Sequence, residues 1–181
     1  MRSDQTVLIV GMGYVGLPLA LSFVRGGVNV LGLDIDQAKV DDLNGGRSYL
    51  GHISDTDIGA AVATGLFAAT TDFSRSAEAD VVIIAVPTPL TKQRDPDLSY
   101  VTATCESIAP HLQEGAMVIL ESTTYPGTSR DVMAPLLEAG SGLKVGDGLA
   151  LAYSPEREDP GNASFETQTI PKLVGGASPD T

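Results

Sequence analysis

The chain has 181 residues and a formal net charge of −12. That length suffices to bury one substantial core but not two large ones, and the acidic balance excludes the broad basic field that nucleic acid or an anionic membrane requires. One cysteine, Cys105, leaves no intrachain disulfide framework, which fits a reducing cytoplasm.

Residues 7–10, "VLIV", form a short apolar run without polar alternation, and similar runs recur at 29–34, 66–70, 81–86, 117–122 and 149–154. Runs of this kind are strands buried on both faces. Between them, helical periodicity covers 15–25, 37–44, 56–64, 100–111 and 128–138, with Asp36, Asp55 and Ser99 standing where N-caps belong. Six strands linked by helices predict an α/β fold, a Rossmann-like doubly wound parallel sheet with helices on both faces. No signal-peptide core precedes the first strand, and no apolar stretch is long enough to cross a bilayer.

The first strand runs directly into "GMGYVG", which places Gly11, Gly13 and Gly16 in G-x-G-x-x-G register at the start of a helix. Gly11 permits the tight turn, Gly13 lets a pyrophosphate approach the backbone, and Gly16 lets the helix sit close to the sheet. The helix N-terminus adds unpaired N–H groups and a positive dipole end. The second strand ends in Asp34, about twenty residues on, the spacing at which a carboxylate meets the adenosine ribose. That carboxylate repels a 2′-phosphate, and "DIDQAK" offers no arginine beside it, so NAD is expected rather than NADP. Lys39 either reaches the ribose from the next helix or is a solvated surface lysine.

Two long polar loops follow strands: residues 87–100, "PTPLTKQRDPDLSY", and 154–172, "SPEREDPGNASFETQTIPK". Ligands of open parallel sheets bind beyond the carboxyl ends of the strands, so both loops are candidate functional segments. Cys105 lies in a helix interior with no cationic neighbour and reads as a packing residue. His52 and His111 have no metal-ligand spacing around them, and no metal site is expected.

With "GMGYVGLPLA", "VPTPL", "LESTTYPGT" and "YSPEREDPG" in this order, the chain resembles the UDP-glucose/GDP-mannose dehydrogenase family of nucleotide-sugar 6-dehydrogenases. The resemblance implies that residues 1–181 are the NAD-binding domain of an oxidoreductase. Such an enzyme oxidises C6 of a nucleotide-bound hexose to a carboxylate in two hydride transfers to NAD. The intermediate is carried on a cysteine that lies, with the central and UDP-sugar-binding domains, beyond Thr181. The chain alone is then expected to hold NAD without turnover, and the parent enzyme to be a cytoplasmic homodimer serving polysaccharide synthesis.

By the same resemblance Tyr14 and Val15 contact NAD through the glycine turn, and Asp34 and Lys39 face its adenosine half. Thr88 meets the central ribose or phosphates, unless it only caps the turn between Pro87 and Pro89. Thr123 stands beside the nicotinamide, with a positioning role in acid–base chemistry. Ser129 is a second NAD contact or an ordinary cap residue. Glu156 matches a family glutamate that orients the threonine or a water, whereas a second family glutamate falls on Pro160. Arg157 and Glu158 take substrate-loop positions, although Arg157 could instead pair with Glu158 or Asp159. The pattern "SPEREDPG" is similar to the UDP-N-acetylglucosamine and UDP-N-acetylmannosamine branch. UDP-glucose or GDP-mannose as substrate, a non-catalytic NAD-binding module and a β-hydroxyacid dehydrogenase are the competing readings.

Overall fold

The computed structural model describes residues 5–92, 94–155 and 173–177. In chain order it forms β1 (Thr6–Val10), α1 (Gly16–Arg25), β2 (Asn29–Leu33), α2 (Gln37–Asn44), α3 (Asp55–Ala63) and β3 (Phe67–Thr70). After a 3₁₀ segment, Phe73–Glu78, come β4 (Val81–Ile84), α4 (Ser99–Ile108) and β5 (Ala116–Leu120). A π-helical turn, Thr128–Met133, leads into α5 (Ala134–Ser141), followed by β6 (Lys144–Val145), β7 (Gly148–Tyr153) and β8 (Gly175–Gly176).

The strands lie in the order β3-β2-β1-β4-β5-β7-β6. All neighbours in this path are parallel, and among the described strands β8 alone pairs antiparallel, on β7. The chain winds outward from β1 to β3, then returns to place β4 on the other side of β1. The carboxyl ends of β1 and β4 therefore flank the point where winding reverses, the place a doubly wound sheet leaves open for a ligand.

Alternate residues of a strand face opposite sides, and here both sides are apolar. Leu8 and Val10 join Leu31, Ile84 and Val118 under Val101, Cys105 and Ile108 of α4 and Leu137 of α5. Val7 and Ile9 join Val30, Ile83 and Phe67 under Leu17, Ala20 and Leu21 of α1, Leu43 of α2 and Ile58 of α3. The two-sided burial is why these strands read as continuous apolar runs. Cys105 is fully buried, and desolvation with the Glu106 charge behind it pushes its thiol up to about 12.

Several boundaries depart from the sequence-based expectation. β6 and β8, two residues each, carry too little pattern to be seen in sequence. The cap of α3 is Ser54, not Asp55: its side chain accepts from the Asp57 N–H and the Asp57 carboxylate reaches back, a capping box. Ser99 is the first helical residue of α4, and the Asp97 carboxylate accepts its N–H at 2.9 Å. The helix expected over 128–138 is split between the π turn and α5, with Pro135 at the junction. Proline has no N–H to give the preceding turn.

Candidate functional site

Each glycine of the turn after β1 is required for a different reason. Gly11 has φ +95°, and a Cβ there would lie 2.7 Å from the Ala85 carbonyl oxygen. A Cβ on Gly16 would lie 1.9 Å from the Gly11 carbonyl oxygen and 3.2 Å from Ile9, so α1 can start this close to β1 only without a side chain. Nothing lies within 4 Å of a Cβ built on Gly13, so the backbone is open there. α1 has no side-chain cap; in its first turn the Leu17 N–H donates to the Gly13 carbonyl and the Leu19 N–H to the Val15 carbonyl, so a ligand at this helix N-terminus meets the glycine turn that precedes it.

Asp34, directly after β2, is buried and fixed from three directions. Its Oδ2 accepts the Met12 N–H at 3.0 Å, its Oδ1 accepts the Asp36 N–H at 3.0 Å, and Lys39 Nζ lies 3.3 Å from Oδ2. The same acid thus holds the middle of the glycine turn and the entry to α2. It also lines the cleft, and a carboxylate has lone pairs to spare for ribose hydroxyls.

This cleft, about 350 Å³, is lined by Gly11, Gly13, Tyr14, Val15, Asp34, Lys39, Thr88 and Thr123, with Val86, Pro87, Glu121 and Ser122 between them. Eight residues proposed from sequence to contact the cofactor therefore share one surface. Gly16 lies beneath it, packed on the turn. The Ser122 hydroxyl donates to the Val86 carbonyl at 2.6 Å and holds the segment after β5 against that after β4. Thr88 and Thr123 follow from these two segments.

Ser129 is placed elsewhere. It lines a neighbouring cavity of about 500 Å³ with Thr124, Tyr125, Arg130 and Tyr153. Glu156, Arg157 and Glu158 lie outside the described residues. Among the described residues no group of three or more His, Cys, Asp and Glu side chains could hold a metal ion, and no helix is long and apolar enough to cross a membrane.

A second cavity, about 320 Å³, was not legible in the sequence. It shares Gly11, Asp34, Lys39, Val86 and Pro87 with the cleft and continues between Ile35, Phe73, Tyr100, Ala103 and Thr104. Ile35 is 75% exposed, immediately after the buried Asp34. Ile35 thereby presents a large apolar side chain to this cavity. The other walls, from α4 and the 3₁₀ segment, reach the pocket only through the fold.

An open glycine backbone, a helix N-terminus, a fixed carboxylate and an adjoining apolar slot fit the pyrophosphate, ribose and base of a dinucleotide. The chain's similarities to known proteins agree. Residues 5–181 match the model of the UDP-glucose/GDP-mannose dehydrogenase family, NAD binding domain. UDP-N-acetyl-D-glucosamine 6-dehydrogenase of Pseudomonas aeruginosa is 34% identical over 98% of this chain and 41% of its own length. UDP-N-acetyl-D-mannosamine dehydrogenase of Escherichia coli is 38% identical over 98% of this chain and 43% of its own. The crystal structure of NDP-N-acetyl-D-galactosaminuronic acid dehydrogenase from Methanosarcina mazei superposes with a TM-score of 0.89 at 35% identity, over 97% of this chain and 39% of that one. The chain thus spans about two-fifths of the length of the curated relatives it matches. The glycine turn, the acid after β2 and the match over residues 5–181 together show that the chain belongs to the UDP-glucose/GDP-mannose dehydrogenase family, with NAD as its cofactor.

Proposed function

We propose that the cleft between the glycine turn and the segments after β4 and β5 holds NAD, in a domain that serves oxidation of a UDP-N-acetylhexosamine at C6. The observation that carries the NAD assignment is Asp34, whose carboxylate is fixed by the Met12 and Asp36 N–H groups at the edge of the cleft. It would accept from the ribose hydroxyls and repel a 2′-phosphate. The N–H groups around Gly13, Tyr14 and Val15 would receive the pyrophosphate. Ile35, Pro87 and Tyr100 would enclose the adenine. When bound, NAD supplies the hydride acceptor. Thr88 is assigned to its central ribose or phosphates and Thr123 to its nicotinamide, where the Thr123 hydroxyl would position the substrate oxygen. Ser129 is assigned to a second NAD contact, Glu156 to the chemistry at the substrate, and Arg157 and Glu158 to substrate binding.

The substrate assignment rests on "SPEREDPG" and on relatives whose names specify N-acetylhexosamine substrates. Glu156 would orient the threonine or a water, and Arg157 would take diphosphate or sugar oxygens with its planar fork. Residues 1–181 are read as the NAD-binding domain of a cytoplasmic homodimer whose remaining domains bind the UDP-sugar.

Calorimetric titration of the chain with NAD and NADP tests the cofactor reading. Saturable NAD binding is expected, with NADP weaker and with affinity reduced at least about tenfold in Asp34→Ala, the loss of one good charge-assisted hydrogen bond. Equal binding of NAD and NADP would sink it. For substrate, NADH formation by the whole enzyme is expected with UDP-N-acetylglucosamine or UDP-N-acetylmannosamine and not with UDP-glucose.

A further inference from the structure

The segment between α2 and α3 lies outside every motif of the cofactor site, yet it touches the glycine turn in two places. The Tyr49 hydroxyl donates to the Met12 carbonyl oxygen. The His52 ring stacks on Tyr14, with centroids 5.4 Å apart and planes 15° from parallel. Both contacts reach across more than thirty residues of sequence to the residues that separate the three glycines.

Met12 is the hub of this arrangement. Its side chain is fully buried and occupies the space above Gly32 of β2, where a Cβ would lie 2.6 Å from the Met12 sulfur. Its N–H donates to Asp34, and its carbonyl accepts from Tyr49. The residue between Gly11 and Gly13 is therefore held by its side chain, its N–H and its C=O. The two polar anchors are themselves joined, because Lys39 Nζ lies 3.3 Å from Asp34 Oδ2 and 5.7 Å from the centre of the Tyr49 ring. That is within the range in which an ammonium is attracted to an aromatic face.

We infer that Tyr49 is a positioning residue of the cofactor site, holding the Met12 peptide and Lys39 so that the turn and the Asp34 carboxylate are preformed for the dinucleotide. The inference rests on the NAD reading above and adds to it a residue from outside the motifs. A turn built on glycines has more conformational freedom than any other backbone, and a ligand that must order it first loses affinity by that amount. Tyr49 removes this freedom in advance. Its hydroxyl remains a donor throughout the working pH range, because burial first, and then the charges of Asp34, Asp36 and Asp42, push its ionisation well above the ordinary tyrosine value.

The test is Tyr49→Phe, which removes the hydroxyl and keeps the ring, combined with Asp34→Ala and the double variant. Three quantities are read: NAD affinity by calorimetry, amide hydrogen exchange at Met12 and Gly13 without ligand, and melting temperature. Tyr49→Phe is expected to weaken NAD about fivefold, the size of one ordinary hydrogen bond, and to speed exchange at both amides. Its melting temperature should stay within a few degrees of the parent's. Because both residues act on Met12, through the peptide units on either side of its Cα, the loss in the double variant should be smaller than the product of the single losses. Parental affinity in Tyr49→Phe, losses that multiply, or unchanged exchange would overturn the inference while leaving the NAD reading intact. Collapse of the fold in Tyr49→Phe would also overturn it, since the hydroxyl would then be structural. Failure of the parent chain to bind NAD would instead remove the reading on which the inference rests.

Discussion

Gly13 and Gly16 are two glycines of one motif, three residues apart, and the structure separates their roles. A methyl on Gly16 would have to displace the Gly11 carbonyl, 1.9 Å away. Gly16→Ala is therefore expected to destabilise the fold by about 3 kcal/mol, the upper range for forced overpacking. A methyl on Gly13 meets nothing within 4 Å, so Gly13→Ala should keep the parent's melting temperature and lose at least about tenfold in NAD affinity, as one phosphate hydrogen bond is blocked. Thermal melts and NAD titrations of the two variants check this. Similar losses of stability in both would mean that Gly13 is a folding residue too. Asp34 likewise combines two roles, since the carboxylate assigned to the ribose also ties the turn to α2.

At the scale of elements, α3 shows how a cap sets both a boundary and a pH dependence. Ser54 and Asp57 exchange hydrogen bonds across the first turn, and the Ser54 hydroxyl lies 2.6 Å from Asp57 Oδ2. The Ser54 side chain first, and its backbone second, lower the Asp57 pKa below 3.8. A carboxylate whose folded pKa is depressed contributes its stability above the unfolded value and loses it as pH falls through the folded one. Ser54→Ala should thus lower the melting temperature at neutral pH by a few degrees, the effect of about 1 kcal/mol typical of a lost cap. The gap between parent and variant should narrow below about pH 4. A gap independent of pH in a circular dichroism melt series would show that the box contributes only through neutral hydrogen bonds. The loops at the carboxyl ends of β4 and β5 obey a related logic, because the Ser122 hydroxyl brings their backbones together and so brings Thr88 to the same cleft as Thr123.

For the molecule as a whole, the sheet is covered on both faces and its single cysteine lies in one of the two covering layers. The thiolate is the reactive form, and burial holds the Cys105 thiol at about 12. A thiol reagent should therefore fail to label the native chain at neutral pH and label it fully in concentrated guanidinium. The labelling rate at intermediate denaturant would follow global unfolding. Rapid labelling of the native chain would mean that α4 opens locally, and with it the wall that Tyr100, Ala103 and Thr104 give to the second cavity.

Much of this was readable in the chain without coordinates. Strand runs buried on both faces, the G-x-G-x-x-G register and an acid about twenty residues on are local patterns, because period, turn geometry and spacing along one βαβ unit depend on neighbours in sequence. They determined the fold class and pointed to a dinucleotide, while the family resemblance rested on four longer motifs, "GMGYVGLPLA", "VPTPL", "LESTTYPGT" and "YSPEREDPG", standing in this order. The two-residue strands β6 and β8, the cap at Ser54 and the π turn before Pro135 escaped, since each depends on hydrogen bonds that short patterns do not specify. The tertiary structure alone decided which distant segments meet: Thr88 and Thr123 in one cleft with Ser129 in the next cavity, an apolar cavity walled by Ile35, Phe73 and Tyr100, and Tyr49 under the glycine turn. Those contacts join residues far apart in the chain, and only the order in which the strands pair brings them together.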